Sequence, residues 1–140
     1  MKILLPVDGS DCTKRTLAYL AAHDELLPGR HDYAVFTAIE PYKPHEVNFA
    51  KATSMEDFMR DQAEQVLGPI RSFVRQQDWN VQFGYAPGAA LDTIVGKVES
   101  FKPDLIIMGT HGRSRLGALV LGSVANGVIA NCTTPVLLIR

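Results

Sequence analysis

Residues 104–123 read DLIIMGTHGRSRLGALVLGS. Asp104 to Met108 is a short apolar run set off by Pro103, the pattern of a strand buried on both faces. A glycine-rich stretch follows from Gly109, and Gly122-Ser123 opens a short helix reaching about Ala130. Glycines at 109 and 112 permit backbone turns that a Cβ would block. At the start of a helix the first amides are unpaired and the dipole is positive, so an anion is favoured there. Ser123 adds a hydroxyl donor, and Arg113 and Arg115 can offset phosphate charge from the rim. The same glycines also fit a tight βα turn leading into an ordinary helix. Local physics leaves both readings open.

Working outward, the same strand–turn–helix unit recurs. Lys2 to Val7 is a continuous apolar run that stops at Asp8-Gly9-Ser10. Ser10 or Asp11 caps a helix with Leu17, Leu20 and Ala21 on its inner face, ended by Pro28-Gly29. Tyr33 to Glu40 reads as the second strand. Residues 41–53 show no period and read as a loop. Ser54 caps a long helix to about Gln77, with Gly68-Pro69 as a potential kink. Trp79 to Phe83 reads as the third strand, and Gly84 to Gly88 as a connector. A helix from Ala89 to Ser100 precedes the strand at 104–108, and Pro135 to Ile139 is the last strand. The order βαβαβαβαβ means an α/β fold, a parallel sheet with helices on both faces.

The bulk properties narrow the class. A chain of 140 residues fits one domain spanning 1–140. It is 46% apolar and 21% charged, with net charge −1. That balance carries no electrostatic footprint for nucleic acid or an anionic membrane. No stretch approaches the roughly 18 apolar residues that span a bilayer, and no signal peptide is evident, so a cytoplasmic location is expected. Cys12 and Cys132 are far apart, form no C-x-x-C pair, and read as isolated thiols.

In an open parallel sheet, ligands bind beyond the carboxyl ends of the strands, where strand order reverses. The loops after strands one and four are therefore the candidates. In the first, Asp8 is placed to hold a ribose hydroxyl or a phosphate-bound magnesium ion, or simply to sit as an acid at a helix start. The chain has no G-x-x-x-x-G-K-[ST] loop and no G-x-G-x-x-G after the first strand. Standard P-loop NTPases and dinucleotide-binding enzymes are disfavoured accordingly.

Gly109, Gly112, Gly122 and Ser123 match the signature G-x2-G-x9-G-[ST], and with KILLPVDGS, DLIIMGTHGRS and TTPVLLI the whole chain resembles the universal stress protein family. The resemblance implies an open five-stranded parallel sheet in order 3-2-1-4-5, Rossmann-like and similar to the adenine nucleotide alpha hydrolases. It implies an adenine nucleotide, ATP or else ADP or AMP, with or without Mg2+. Pro6, Val7 and Asp8 would meet adenine and ribose, and Ala38 would line the adenine pocket. Gly109, Gly112, Arg113, Gly122, Ser123 and the amides of Val124 and Ala125 would hold ribose and phosphates. Some members carry a hydroxyl residue where this chain has Ala125, which removes one phosphate donor. The resemblance also implies a homodimer through the last strand, 135–139, and an edge strand as apolar as Leu137-Leu138-Ile139 needs a partner or a cover.

His111 lies inside the glycine loop, but no Ser-His-Asp set or carboxylate pair accompanies it. Three functions follow in order of expectation. The first is an ATP-binding stress-response module with residues 41–53 as its mobile part. The second is a slow Mg-dependent ATPase, and the third a dimeric interaction protein that binds no nucleotide.

Overall fold

The computed structural model describes residues 1–27, 30–40, 54–112 and 121–140. Its elements are β1 (Lys2–Pro6), α1 (Asp11–Ala22), β2 (Asp32–Ile39), α2 (Met55–Val74), β3 (Asn80–Pro87), α3 (Ala90–Phe101), β4 (Leu105–Gly109), α4 (Ser123–Asn131) and β5 (Val136–Ile139). The strands form one parallel sheet in the order β3-β2-β1-β4-β5. The expected α/β class and strand order are both present. The expected mobile part, 41–53, lies outside the described residues, as do Pro28 and Gly29.

The centre of the sheet is β1. Ile3 pairs with Tyr33 on one side and Leu105 on the other, and Leu4 with Ala34 and Ile106. Ile3, Leu4 and Leu5 are at most 1% exposed. Alternation along the strands divides the core in two. Ile3, Leu5, Val35 and Ile107 face α1 and α2, which contribute Leu17, Leu20, Ala63, Val66, Leu67 and Ile70. Leu4, Ala34, Phe36, Ile106 and Met108 face α3 and α4, which contribute Ile94, Ala125 and Val128. A strand covered on both faces has no polar side to show, which is why its sequence lacks alternation.

Local chemistry sets the helix starts. Ser10 Oγ accepts from the Thr13 amide at 3.4 Å, and Ser54 Oγ from the Asp57 amide at 3.1 Å. Asp11 is thus a first-turn acid and not the cap. α1 ends at Ala22, earlier than Pro28-Gly29 would dictate, and a 3-10 turn over Asp24–Leu26 follows. α2 continues as one helix across Gly68 and Pro69. Asp78 then reverses the chain with φ +52°, a left-handed conformation that Asp tolerates better than most residues.

β3 departs most from expectation. Gly84 to Pro87 read as a connector, yet they extend the strand, pairing with Phe36 to Ile39. The neighbouring β2 supplies a full ladder that outweighs local turn preference. Pro87 is tolerated because β3 is an edge strand. Gly88, with φ +138°, ends it and donates its amide to the Ile39 carbonyl at 2.9 Å.

Among the described residues, no helix is long and apolar enough to cross a membrane. The two-sided core makes a direct prediction. Ile106, fully buried, loses about 2–5 kcal/mol of stability on replacement by Ala. Ile129→Ala, at a position 45% exposed on α4, stays within about 0.5 kcal/mol. Urea unfolding of the two variants beside the unmodified protein measures the contrast.

Candidate functional site

Strand order reverses between β1 and β4, and a cleft of about 590 Å³ opens beyond their carboxyl ends. That volume is within the range of small-molecule sites. One wall starts at the end of β1. The Val7 amide donates to the Phe36 carbonyl at 2.9 Å, carrying the ladder one residue past the strand. Asp8 is then held from three directions. Its amide donates to Thr13 Oγ1 at 3.2 Å, and its Oδ1 accepts from Thr13 Oγ1 at 2.9 Å and from the Ser10 amide at 3.0 Å. The carboxylate therefore belongs to the α1 start and also faces the cleft. Gly9 follows at φ +76°, a conformation that favours glycine.

The opposite wall is β4 and the start of α4. The Thr110 amide donates to the Ile139 carbonyl at 3.0 Å, and the Thr110 carbonyl accepts from the Gly122 amide at 2.7 Å. That second bond ties the two ends of the glycine loop together. Thr110 Oγ1 and His111 Nδ1 lie 3.0 Å apart.

The backbone turns expected at Gly109 and Gly112 do not use glycine-only angles. None of Gly109, Gly112 and Gly122 has the left-handed φ that a glycine-dependent turn would need. They are sites of close approach within the protein. A methyl on Gly109 would come within 2.7 Å of Cys12 Cβ, and one on Gly122 within 3.0 Å of the Thr110 carbonyl oxygen. A methyl on Gly112 would reach 2.7 Å from Asp8 Oδ2. Gly112 thus brings the loop directly against the carboxylate of the first wall.

α1 and α2 are each capped by a serine side chain, but α4 has Gly122 at its cap position and no side-chain bond there. Its first amides are left to whatever occupies the cleft, which Ser123, Val124 and Ala125 line. Ser123 is exposed, Val124 half-buried, and Ala125 only 2% exposed. The Ala125 methyl packs in the core beneath α4, so only its backbone is placed toward a ligand.

The structure brings Pro6, Val7, Asp8, Ala38, Gly109, Gly112, Gly122, Ser123, Val124 and Ala125 around this one cleft. Arg113 lies outside the described residues. Sequence reasoning missed Thr13, Phe58, Gln62 and Thr110, which also line it. Thr13 had a readable signal, a hydroxyl in the first turn after Asp8-Gly9-Ser10. Phe58 and Gln62 come from a distant helix, and only the fold brings them here. Cys12 is buried, with Sγ 3.0 Å from Arg15 Nη2, and Cys132 is half-buried. Burial first, and the Glu99 carboxylate second, push the Cys132 thiol up. Among the described residues no cluster of His, Cys, Asp or Glu forms a metal site.

Comparison with known proteins fits this geometry. The universal stress protein family model matches residues 1–140. The chain belongs to the universal stress protein family. A universal stress protein of Thermus aquaticus is 32% identical over 142 residues, 99% of this chain and 97% of that protein. The structure of the Methanocaldococcus jannaschii protein MJ0577 matches with a TM-score of 0.76 at 25% identity, over 99% of this chain and 94% of that one. A universal stress protein of Archaeoglobus fulgidus in complex with dAMP shares the fold, with a TM-score of 0.64 at 22% identity over 100% and 98% of the two chains. Further structural relatives hold AMP and cAMP.

Thr13 is the keystone of the first wall of this universal stress protein. Thr13→Val keeps the shape but strands the Asp8 amide and removes one donor from its carboxylate. We expect a loss of about 1–3 kcal/mol in urea unfolding, the cost of a buried polar group without its partner. Lys14→Ala, one position along on the exposed side of α1, changes stability by less than about 0.5 kcal/mol.

Proposed function

We propose that this chain is an ATP-binding regulatory module of the stress response, acting by binding and not by turnover. The observation that carries the reading is the uncapped start of α4, open to a cleft at the switch point with the Asp8 carboxylate opposite. Backbone amides there suit phosphate oxygens, and a fixed carboxylate suits ribose hydroxyls. Pro6, Val7, Asp8 and Ala38 take the nucleoside. Gly109, Gly112, Gly122, Ser123 and the amides of Val124 and Ala125 take the phosphates, with Arg113 from the loop. Relatives that hold dAMP, AMP and cAMP support an adenine nucleotide. Asp8 is a single carboxylate, so it fits a magnesium ion carried on the phosphates and still largely hydrated, not a dedicated metal cage.

A fluorescent ATP analogue titrated with and without Mg2+ tests this. The unmodified protein should bind saturably. Ala38→Phe, which fills the cleft at the end of β2, and Gly122→Val, which crowds the amides, should each weaken binding at least about tenfold. No saturable binding by the unmodified protein would overturn the reading. Unchanged binding by both variants would move the site elsewhere. Phosphate release followed in the same samples separates a binding module from a slow Mg-dependent ATPase.

The unit proposed is a cytoplasmic homodimer of single-domain chains spanning 1–140, joined through 135–139. The support is that, among the described residues, β5 is the terminal strand of the sheet and pairs with β4, and a terminal strand presents an outer edge on which a second copy can pair. Light scattering on the eluting protein should give twice the 15.4 kDa chain mass. A monomer mass at micromolar concentration and above would remove the dimer.

A further inference from the structure

Thr110 is shared by three parts of the fold. It follows the last residue of β4, is 6% exposed and lines the cleft. Its amide donates to the carbonyl of Ile139, the last residue of β5. Its carbonyl accepts from the amide of Gly122, the cap residue of α4. The second bond has little slack, since a methyl on Gly122 would lie 3.0 Å from the Thr110 carbonyl oxygen and 3.3 Å from His111 Cα. One residue thus ties the start of α4, where the amides of Ser123 to Ala125 follow, to the end of the outermost strand.

The hold of β4 on β5 is short. The Ile106 amide donates to the Pro135 carbonyl at 2.9 Å at one end, and the Thr110 amide to the Ile139 carbonyl at 3.0 Å at the other. In a parallel ladder, alternate residues turn both backbone groups to the same side. Residues 135, 137 and 139 therefore face β4, and Val136 and Leu138 turn their amides and carbonyls to the outer edge. A strand of four residues offers a second copy the groups of those two residues. Fraying at Ile139 would loosen Leu138 beside it, so the quality of this edge depends on the bond that Thr110 makes.

We infer that Thr110 couples ligand occupancy to self-association through β5. This rests on the nucleotide-binding and homodimer readings above. Phosphate held by the α4 amides fixes Gly122, Gly122 fixes Thr110, and Thr110 fixes the Ile139 end of β5. The ordering that edge pairing requires is then complete before the second copy arrives. Linkage makes the effect reciprocal. The factor by which a dimer binds nucleotide better than a monomer, counted once for each of its two sites, is the factor by which nucleotide strengthens the dimer. Thr110 is a positioning residue in this scheme, acting through its backbone and making no contact with the second copy.

Sedimentation of a dilution series with and without saturating Mg-ATP reads the dimer dissociation constant. ATP should lower it by at least about tenfold. Hydrogen exchange below the dimer midpoint reads the link within one chain. There ATP should slow the Ile139 amide, which the ladder turns to β4, and leave those of Val81 and Gln82 on β3 unchanged. Leu138→Pro removes an outward amide at an edge, where proline is tolerated. It should be monomeric and bind ATP with the weaker affinity that the unmodified protein shows when diluted to monomer. Thr110→Pro removes the amide given to Ile139 and should leave the dimer insensitive to ATP. Thermal melting checks the fold of both variants, and the dilution series needs neither. A dissociation constant that ATP leaves within twofold overturns the inference while both parent readings stand. So does an equal ATP affinity in monomer and dimer. A protein that binds no nucleotide, or that is monomeric at every concentration, removes one parent reading and the inference with it, and the binding and mass measurements tell these two failures apart.

Discussion

Burial of β1 on both faces and both edges is the constraint from which the rest follows. Ile3 to Leu5 make contact with α1 and α2 on one side of the sheet and with α3 and α4 on the other. They also pair laterally with β2 and β4. A strand so enclosed must be apolar at every position, and its first polar residue appears where enclosure ends. Here that residue is Asp8. The switch in strand order falls at the same place, because the chain leaves β1 toward β2 and returns later to β4 on its other side. The cleft is thus a product of the topology, and Asp8 marks its floor because burial does not permit it any earlier.

Packing within the protein and openness to a ligand are served by the same glycines. Gly109 lets β4 pass Cys12 at the start of α1, and Gly122 lets the loop close on Thr110. The second contact holds the start of α4 close to the end of β4. The helix begins close to the ends of β1 and β4, with its amides aimed into the cleft. A bulkier residue at Gly109 would press β4 against Cys12 of α1, and one at Gly122 would press the start of α4 against Thr110. The demand for small residues therefore arises before any phosphate is present, and the phosphate reading inherits it.

Much of this was legible in the sequence, for identifiable reasons. The apolar runs of β1 and β4 announce central strands, and Ser10 and Ser54 announce helix starts. Residues in two loops at successive strand ends, such as Asp8 and Gly112, could be placed together once the order of elements was known. β3 was cut short because Gly84, Pro87 and Gly88 signal turns locally, while the ladder offered by β2 is invisible in a single stretch of chain. The geometric role of the glycines was misread for a related reason. Close approach of Gly109 to Cys12 joins positions 97 apart in number, and no local pattern encodes it. Phe58 and Gln62 show the same limit, since a polar residue on a helix face carries no sign of what it will face.

The two sides of the cleft differ in how their helix starts are satisfied, and this difference gives the site a direction. α1 and α2 use their own serines, so the amides on that side are partly occupied, and the side adds the carboxylate of Asp8. α3 and α4 begin at Ala89 and Gly122 with no side-chain cap, and Ala90 and Ser123 line the cleft. Among the described residues, one side thus offers two helix starts without side-chain caps, and the other adds a carboxylate acceptor. Among the described residues that line the cleft, the charged side chains are Asp8 and Glu40, both acidic. Among the described residues, attraction for an anion is therefore left to the backbone on the α3–α4 side. A ligand with an anionic end and a hydroxylated, hydrogen-bonding end fits that polarity in one orientation only. The nucleotide proposed above has those two ends.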